Sequence, residues 1–430
     1  MSIGVGIIGL GTVGSGTVEI LEERIPYFAS ELGLDIEIRG LCAKSDAETA
    51  PFAARGHRCT TNAAELIADP SIQILVELVG GYDLPRKWIS AALEAGKHVV
   101  TANKALIAKH GAELFPIAAK NGVDLLFEAA VGGGIPVIRA MQESLVGCEI
   151  RSIRGIVNGT CNYILTSMFR DGGDFDAVLA EAQKLGYAEA DPTFDVDAID
   201  SAHKLAILAS LASGKFVDFR KMLVEGIRGI GQIDVRMARE MGCTIKLLGI
   251  FNRCADGRID ARVHPCLLPE NHLLSSVDGV LNAVHIDASS LGPTLMTGAG
   301  AGKLPTASAV VGDVVSIARR ISSGSRTPLP MGFFREDNAA DLLPRDEIRN
   351  GYYLRFTMLD RAGVLAAITQ AFKENSISVA SMIQKPSTKG GEATIIFTTH
   401  KCAESDVQAA IAAIDRLEES VEPAKMIRFG

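Results

Sequence analysis

A glycine-rich turn between an apolar strand and a helix constrains the fold of this chain most. Residues 3–14 read IGVGIIGLGTVG, so a run rich in Ile and Val leads into a GxGxxG pattern at residues 9–14. Residues 17–23 then have a helical pattern. In such a motif the glycines allow a tight turn, close approach of the backbone to a pyrophosphate and close packing of helix on strand. The motif predicts dinucleotide binding, against the alternative of a plain Gly-rich turn.

Apolar runs and helical segments alternate beyond this motif. Strand-like runs lie at Ile36–Cys42, 74–79 and His98–Thr101, and helical patterns lie at 84–95 and 104–120. Strands that alternate with helices form parallel sheets with both faces covered. The expected fold class is therefore α/β, with an N-terminal Rossmann doubly wound sheet.

The end of the second strand bears on the choice of dinucleotide. The acidic residue expected there for a ribose 2′-hydroxyl is missing, and the sequence reads Ala43-Lys44-Ser45. Lysine and serine suit a 2′-phosphate, so NADP is at least tolerated and NAD remains open. The alternative is that Lys44 is an ordinary solvated loop lysine.

A carboxylate-rich stretch followed by an apolar helix is the best candidate for a reactive centre. Residues 185–212 contain Lys204 and five carboxylates: Glu189, Asp191, Asp195, Asp197 and Asp200. Asp200 and Lys204 are four residues apart, so on a helix they share one face. A helix that is apolar all round is usually buried, and buried Lys and Asp are rare unless paired. The alternative is a surface ion pair, with Asp195 and Asp197 merely favouring the helix N-terminus.

Two further segments carry candidate ligands. Lys104 follows a predicted strand, at the carboxyl edge where open α/β sheets bind ligands. Glu128 precedes three consecutive glycines at 132–134, whose carbonyl oxygens could join its carboxylate around a hard cation. A hinge between domains is a compatible interpretation of the glycines.

The middle of the chain predicts an α+β domain with a mostly antiparallel sheet. Its strand-like pieces lie at 151–157, 222–233, 245–251, 258–264 and 280–288. A Gly-rich loop at 297–306 then opens a helix. Such a loop before a helix N-terminus is a ready anion or cofactor site. The helix is expected to return to the first domain.

The last eighty residues have a βαββαβ order, which is typical of ferredoxin-like domains. The predicted strands are 352–358, 377–384, 391–398 and 421–428, and the predicted helices are 364–375 and 403–416. The predicted domains are therefore 1–134 for NAD(P) binding with helix 303–322 returning to it, 135–302 for substrate binding and catalysis, 323–350 as a linker, and 351–430 as a ferredoxin-like domain.

Composition excludes several classes of partner. The net charge of −8 argues against nucleic acid or an anionic membrane. No apolar run reaches the roughly 18 residues that span a bilayer, and no signal peptide is visible. The eight cysteines include no CxxC pair, so neither a zinc site nor a disulfide framework is indicated. We expect a cytoplasmic protein, because thiols stay reduced there.

Four motifs together resemble those of the homoserine dehydrogenase family. They are GLGTVG, TANKALIAKHG, the pair NGTCNYIL and LGYAEADPTFDVDAIDSAHKLAIL, and GAGAGKLPTASAV, in the family's order and spacing over residues 1–330. Residues 351–430 resemble an ACT domain, a regulatory module that often binds amino acids. The resemblance implies regulation for residues 351–430 and dimerisation, besides catalysis, for residues 135–302. No aspartate kinase region precedes the motifs, so the chain looks like the single-function form.

The resemblance implies a reaction and a set of site residues. The family links L-homoserine with L-aspartate 4-semialdehyde by hydride exchange with NAD(P), on the route to threonine, methionine and isoleucine. By motif, the cofactor would lie against Gly9, Gly11, Thr12, Val13 and Gly14, with Lys104, Gly186 and Gly302 near it. Glu189 and Asp200 would bind substrate, Lys204 would move the hydroxyl proton, and Lys104 would lie beside the reacting group. A sodium ion would be held by Glu128 and the backbone of Val131, Gly133 and Ile135.

The chemistry of the reaction is consistent with these residues. Oxidation of a primary alcohol needs a hydride acceptor and a base for the hydroxyl proton. A lysine is that base only if its pKa falls well below about 10.4; burial lowers the pKa and a nearby carboxylate raises it. Which effect prevails, and whether Lys204 or Lys104 moves the proton, stays open.

Alternatives also remain for the chain and for its tail. One is a catalytically inactive amino-acid sensor, and another is a dehydrogenase for a different small amino-acid-like alcohol. For the tail we expect L-threonine as effector, with a pure dimerisation module as the alternative, and a homodimer or homotetramer as the assembly. Because residues 351–430 hold none of the catalytic residues, we expect their deletion to leave the chemistry possible.

Overall fold

The protein is described by a computed structural model over residues 2–325, 334–386 and 391–430. The chain divides into two compact units. The first unit comprises residues 1–157, 200–221 and 281–340, and the second comprises residues 158–199, 222–280 and 341–430.

The elements follow one another along the chain in three groups. Residues 3–126 contain β1 (Ile3–Ile8), α1 (Thr12–Leu32), β2 (Ile36–Cys42), α2 (Asp46–Ala53), β3 (Cys59–Thr60), α3 (Ala63–Ala68), β4 (Ile74–Glu77), α4 (Asp83–Glu94), β5 (His98–Thr101), α5 (Lys104–Asn121) and β6 (Leu125–Leu126). The middle group contains α6 (Val137–Arg139), β7 (Ile150–Ile156), α7 (Gly159–Arg170), α8 (Phe175–Lys184), α9 (Thr193–Val196), α10 (Ile199–Ser213), β8 (Leu223–Val224), α11 (Gln232–Glu240), β9 (Cys243–Arg253), β10 (Ile259–Pro269), β11 (Leu281–Ala288), β12 (Gly292–Ala299) and α12 (Lys303–Ser322). The last group contains β13 (Arg349–Asn350), β14 (Tyr352–Leu359), α13 (Val364–Glu374), β15 (Val379–Pro386), β16 (Glu392–Thr399), β17 (Cys402–Ala403), α14 (Glu404–Ile414) and β18 (Ser420–Phe429).

The first unit contains the doubly wound sheet that the sequence predicts. Its strands are ordered β3-β2-β1-β4-β5-β6, and every neighbouring pair is parallel. The order reverses between β1 and β4, and open α/β sheets bind ligands at the carboxyl ends of the strands beside such a reversal. The α/β class and the Rossmann sheet are confirmed.

Helix α12 packs into the same unit although it lies far along the chain. Its Val310, Val314 and Ile317 are fully buried in one hydrophobic core with Val5 and Ile7 of β1. A second sheet of this unit is antiparallel, in the order β12-β11-β7. Val157 follows directly on β7.

The second unit contains the ferredoxin-like region. Its strands run in the order β18-β14-β16-β15 with antiparallel neighbours, and α13 and α14 connect them as βαββαβ. Each predicted element of the tail is present with small shifts at its ends. Strand β18 also pairs in parallel with β10, and β10 pairs with β9. The tail therefore continues a sheet of the preceding region rather than standing apart from it.

One strand prediction is wrong. The piece predicted over 222–233 contains a strand only at Leu223–Val224, and helix α11 begins at Gln232. The backbone leaves the sheet here because Gly226 lies against α9; a Cβ on Gly226 would be 2.1 Å from the Val196 carbonyl oxygen. Such an approach between two backbones is open to glycine alone.

Of the predicted linker 323–350, residues 326–333 lie outside the described residues. Phe334 is buried and its ring lies 4.7 Å from that of Phe115 between centroids. The Phe216 N–H donates to the Asn338 carbonyl at 2.9 Å. Among the three described ranges, no helix is both long and apolar enough to cross a membrane.

Candidate active site

Helix α10 carries an ion pair in a buried setting. Asp200 is 3% exposed and Lys204 is 8% exposed, and Leu205, Ile207 and Leu208 are buried beside them. The two side chains are one turn apart, and Lys204 Nζ donates to Asp200 Oδ2 at 2.7 Å. This burial contradicts the alternative of a surface ion pair. A charged pair is kept in such a place only where its hydrogen bonds are satisfied.

The Asp200 carboxylate is shared by two lysines. Lys204 Nζ also donates to the Val157 carbonyl at 2.6 Å, and Lys104 Nζ lies 3.0 Å from the second carboxylate oxygen, Asp200 Oδ1. Two residues far apart in the sequence thus meet on the two oxygens of one carboxylate. One negative charge between two ammonium groups leaves a local excess of positive charge, which attracts an oxyanion or a developing alkoxide.

Lys104 reaches this carboxylate from the first turn of α5. Asn103 caps the helix, since its Oδ1 accepts the Leu106 N–H at 3.1 Å. The Lys104 side chain is 35% exposed, whereas that of Lys204 is 10% exposed. Lys104 therefore lies on the accessible side of the cluster, and Lys204 lies on its interior side.

His203 lies next to the cluster on α10 and is also buried. Burial is the largest cause that lowers its pKa, to about 4. Its ring meets Phe219 edge to face, with 4.3 Å between centroids. His203 is therefore neutral near pH 7, so it adds no charge to the lysine cluster, which consists of Lys104, Asp200 and Lys204. No sequence pattern around His203 indicated this environment.

The glycine turn at residues 9–14 has the geometry that a pyrophosphate needs. Gly9 has φ +96°, and a Cβ on Gly14 would lie 1.8 Å from the Gly9 carbonyl oxygen. Helix α1 begins at Thr12, followed by Val13, and its N-cap is Gly11. A Cβ added to Gly11 would have no atom within 4 Å. The turn is thus closed on its inner side and open over Gly11. A dinucleotide fits this arrangement, with backbone N–H groups of the helix N-terminus facing its phosphates.

The segment after β6 places Glu128 in the interior. Its carboxylate oxygens accept the N–H groups of Ile138 at 2.9 Å and Arg139 at 2.8 Å. The Glu128 N–H donates to Asp313 on α12, and burial raises the pKa of both carboxyl groups, that of Asp313 to about 7. The Arg139 guanidinium bonds Asp313 at 2.8 Å, whereas the Glu128 carboxylate is bonded by backbone N–H groups.

The backbone beside Glu128 turns through Gly132 and Gly133, both at positive φ. The Ile135 carbonyl accepts the Val137 N–H at 2.8 Å, so one of the three predicted backbone ligands already has a donor. Over the described part of the chain, no group of three or more His, Cys, Asp or Glu side chains could hold a metal ion. Carboxylate and carbonyl oxygens at this turn suit a hard cation rather than a transition metal.

Comparison with known proteins gives the family. A profile described as the homoserine dehydrogenase NAD binding domain matches residues 9–128, the homoserine dehydrogenase profile matches residues 136–315, and the ACT domain profile matches residues 352–419. The chain is 44% identical to the homoserine dehydrogenase of Pseudomonas aeruginosa over 434 residues, covering 99% of this chain and 98% of that protein. The chain belongs to the homoserine dehydrogenase family.

Solved structures support the same assignment. A homoserine dehydrogenase from Thiobacillus denitrificans superposes with a TM-score of 0.93 at 44% identity, covering 100% of this chain and 98% of that chain. A hyperthermophilic archaeal homoserine dehydrogenase in complex with NADPH gives a TM-score of 0.63 at 29% identity, covering 74% of this chain and 98% of that chain. This family member is thus an NAD(P)-dependent oxidoreductase with a C-terminal ACT domain.

The other residues predicted to bind cofactor or substrate lie at the surface or in glycine turns. The Lys44 side chain is 88% exposed and its Nζ lies 3.9 Å from Glu48. Gly302 is the N-cap of α12 at φ +122°, in the first unit with the lysine cluster. Gly186, at φ +77°, and the exposed Glu189 belong to the second unit, where Gln183 donates to the Glu189 carbonyl at 3.0 Å.

Asp195 has a larger role than the sequence suggested. Its carboxylate accepts from Asn158 Nδ2 at 2.7 Å and from the Thr160 hydroxyl at 3.2 Å, which also donates to the Tyr187 carbonyl at 2.6 Å. Asp195 thus joins the NGTCNYIL motif to the carboxylate-rich stretch. Adjacent carboxylates in one sequence cannot reveal which of them is paired, because the partner lies on another element.

Proposed function

We propose that this chain oxidises L-homoserine to L-aspartate 4-semialdehyde reversibly, and that Lys204 accepts the hydroxyl proton. The observation that carries the assignment of roles is the buried Asp200 carboxylate, bonded by Lys204 on one oxygen and approached by Lys104 on the other. Bound NAD(P) supplies the hydride acceptor. Lys204 in its neutral amine form would take the hydroxyl proton on Nζ as the O–H bond of the alcohol breaks.

The charge balance favours this division of labour. Two ammonium groups that face one carboxylate repel each other, which favours loss of a proton from one of them. Lys204 is held by Val157 and Asp200 and so has a fixed direction, whereas Lys104 is accessible and suits contact with the reacting oxygen. Glu189 and Asp200 are both proposed to bind substrate, as the resemblance of their motif to the family implies.

The proposal is tested by following the absorbance of the reduced nicotinamide. With L-homoserine and NADP or NAD, we expect turnover that depends on both components. An inactive sensor would give none, and a dehydrogenase for another small alcohol would turn over that alcohol with a higher kcat/KM than L-homoserine.

NADP use is proposed from the position of Lys44. It follows β2, the strand next to β1, and its largely exposed ammonium can meet a 2′-phosphate. The next residue, Ser45, is the N-cap of α2, which brings helix N–H groups to the same place. NAD lacks the 2′-phosphate, so it gains nothing from Lys44.

A structural sodium ion at Glu128 is part of the proposal. The buried pair of Glu128 and Asp313 has one guanidinium, that of Arg139, for two carboxyl groups. A monovalent cation held by Glu128 and the carbonyl groups of Val131, Gly133 and Ile135 would balance the second charge. The Ile135 carbonyl would then serve both the cation and Val137.

Feedback control by L-threonine through the ACT domain is proposed from the contacts inside the second unit. Arg428 of β18 is fully buried and bonds Glu225, while Lys425 lies over Gly229. Between these, Arg228 donates to Asp197 at 2.6 Å, in the carboxylate-rich stretch. By resemblance to ACT domains, the ligand loop is the turn at 360–365, where Gly363 has φ +96° and which follows β14. Because β14 pairs with β18, a ligand at this turn would act on the strand whose Arg428 and Lys425 contact the residues beside Arg228.

We also propose a homodimer or homotetramer in the cytoplasm. In the antiparallel sheet of the first unit, β12 is an edge strand with exposed Leu281 and Leu291 beside it, and unpaired edges favour association. All eight cysteines are free thiols, as a reducing compartment requires. Light scattering and cell fractionation test the two statements.

A further inference from the structure

Glu77, the last residue of β4, is a buried carboxylate that has no role in the reaction proposed for Lys104, Asp200 and Lys204. It is fully buried and lies opposite Thr101, the last residue of β5, in the parallel sheet. A carboxylate costs several kcal/mol to bury unless donors satisfy it. Its position at the carboxyl edge next to the strand reversal is where the fold binds ligands.

Three donors satisfy this carboxylate. Glu77 Oε1 accepts the N–H groups of Val79 at 2.7 Å and Gly80 at 3.3 Å, and Oε2 accepts the Thr101 hydroxyl at 2.7 Å. Burial raises the pKa of Glu77, while these hydrogen bonds lower it. Because all three partners donate, the arrangement is complementary to the ionised acid.

The same hydrogen bonds continue to Lys104. The Thr101 hydroxyl oxygen accepts the Asn103 N–H at 3.0 Å, so its own hydrogen is directed at Glu77. Asn103 Nδ2 donates to the Gly81 carbonyl at 2.7 Å, while its Oδ1 caps α5. The loop at 78–81 and the start of α5, whose first residue is Lys104, are therefore parts of one network anchored on Glu77.

The loop also borders the dinucleotide turn. The Leu78 N–H donates to the Ile8 carbonyl at 2.8 Å, and a Cβ on Gly9 would lie 2.7 Å from the Leu78 carbonyl carbon. Glu77 thus holds a loop that touches the glycine turn on one side and the capping residue of Lys104 on the other.

We infer that Glu77 is a positioning residue that aligns Lys104 with the cofactor turn through Thr101 and Asn103. The inference rests on the proposed role of Lys104 in the reaction. Glu77 acts through its hydrogen bonds: its carboxylate holds two backbone amides and one hydroxyl in place, and these groups determine where α5 begins.

The test uses Glu77→Ala and Glu77→Gln in the full chain, each alone and combined with Lys104→Ala. A misplacement of about 1 Å costs about a hundredfold in rate, so we expect Glu77→Ala to lower kcat about 10- to 100-fold. Gln keeps an acceptor oxygen for both amides but offers Thr101 a donor in place of an acceptor, so kcat of Glu77→Gln should fall between that of the wild type and that of Glu77→Ala. Adding Glu77→Ala to Lys104→Ala should cost little more, because both remove one function.

Hydrogen exchange supplies a measurement independent of activity. Amides of segments 78–82 and 102–107 should exchange faster in Glu77→Ala, with unchanged exchange over β1 and β2, and Thr101→Val should reproduce the faster exchange at 102–107. Additive losses with Lys104→Ala, or a Glu77→Gln variant as slow as Glu77→Ala, would overturn the inference; the second result would mean that the charge itself acts. If the wild type fails to oxidise L-homoserine, the proposed function fails, while exchange still decides whether Glu77 holds the network.

Discussion

Replacing Lys204 by methionine removes the ammonium group of the buried pair and nearly keeps its volume. The Val157 carbonyl then loses a 2.6 Å hydrogen bond and Asp200 Oδ2 loses one of 2.7 Å, while Lys104 still lies 3.0 Å from Oδ1. A buried acceptor left without a donor costs about 1–3 kcal/mol. With Asp200 partly compensated by Lys104, we expect Lys204→Met to lose about 2–4 kcal/mol of unfolding free energy.

The effect on turnover should be far larger than this stability loss implies. A positioned acid or base contributes about 10² to 10⁴ in rate, and we expect kcat to fall within that range in both reaction directions. The assay is steady-state absorbance of the reduced nicotinamide, with the dissociation constant of NADPH measured separately by its fluorescence. Cofactor binding should change little, because Lys204 Nζ bonds Val157 and Asp200, whereas the proposed pyrophosphate site is formed by the glycine turn before α1.

Lys246→Met is the matched control. Lys246 is also buried and donates to the same kinds of acceptor, the Val277 carbonyl at 2.6 Å and Asp278 Oδ1 at 3.0 Å. It should lose a similar free energy of unfolding with kcat within about threefold of the wild type. If Lys204→Met keeps kcat within about tenfold, or if Lys246→Met loses as much turnover, Lys204 is not the proton acceptor, and Lys104 or water takes that role.

Four further results are expected. Lys44→Ala should raise the KM for NADP more than that for NAD, whereas equal changes would make Lys44 a bystander. The pKa of His203 is about 4 in the folded chain against 6.5 in the unfolded chain, so the unfolded chain binds the proton first as the pH falls between these values. Roughly 3 kcal/mol of unfolding free energy should be lost over this pH range. Denaturation of His203→Gln should show a correspondingly smaller loss of unfolding free energy at acid pH. The melting temperature should be higher in sodium chloride than in choline chloride at equal ionic strength, and Glu128→Gln should abolish the difference; the sodium site is refuted if the wild type shows none. L-Threonine should inhibit the wild type and Gly257→Ala but not Gly363→Ala, since both glycines have positive φ and open space around them but Gly257 lies between β9 and β10, outside the ligand turn.

Local sequence patterns predicted the helices and strands that carry the site residues, but not which of these residues come into contact. The four-residue spacing of Asp200 and Lys204 places both on one helix face, and the apolar residues around them predicted their burial. That Lys104 shares the same carboxylate depends on how α5 and α10 pack, and no periodicity in either segment encodes that packing. Glu77 was invisible for the same reason: within an apolar strand it looks like an ordinary acidic residue until Thr101 and the loop after β4 are placed around it.

The tail shows the same division between local and long-range information. Its alternating strands and helices predicted the ferredoxin-like order, since each element is encoded in its own sequence. The expectation that deletion of residues 351–430 leaves the chemistry possible does not follow from that order, because β18 pairs with β10 and Arg428 is buried between Glu225 and Glu404. Deletion would leave Glu225 without that guanidinium and β10 with an open edge.

A second buried contact leads to the same conclusion. Asp234 on α11 is 1% exposed and accepts from the Tyr353 hydroxyl at 2.9 Å and from Arg355 Nε at 2.8 Å, both on β14. Removing one partner of a buried ion pair costs about 3–5 kcal/mol, because the other charge stays buried without compensation. A shortened chain would therefore lose activity through instability whether or not the tail binds an effector. Regulation is decided by single substitutions at the ligand turn of the intact chain, which leave Asp234 and Glu225 paired.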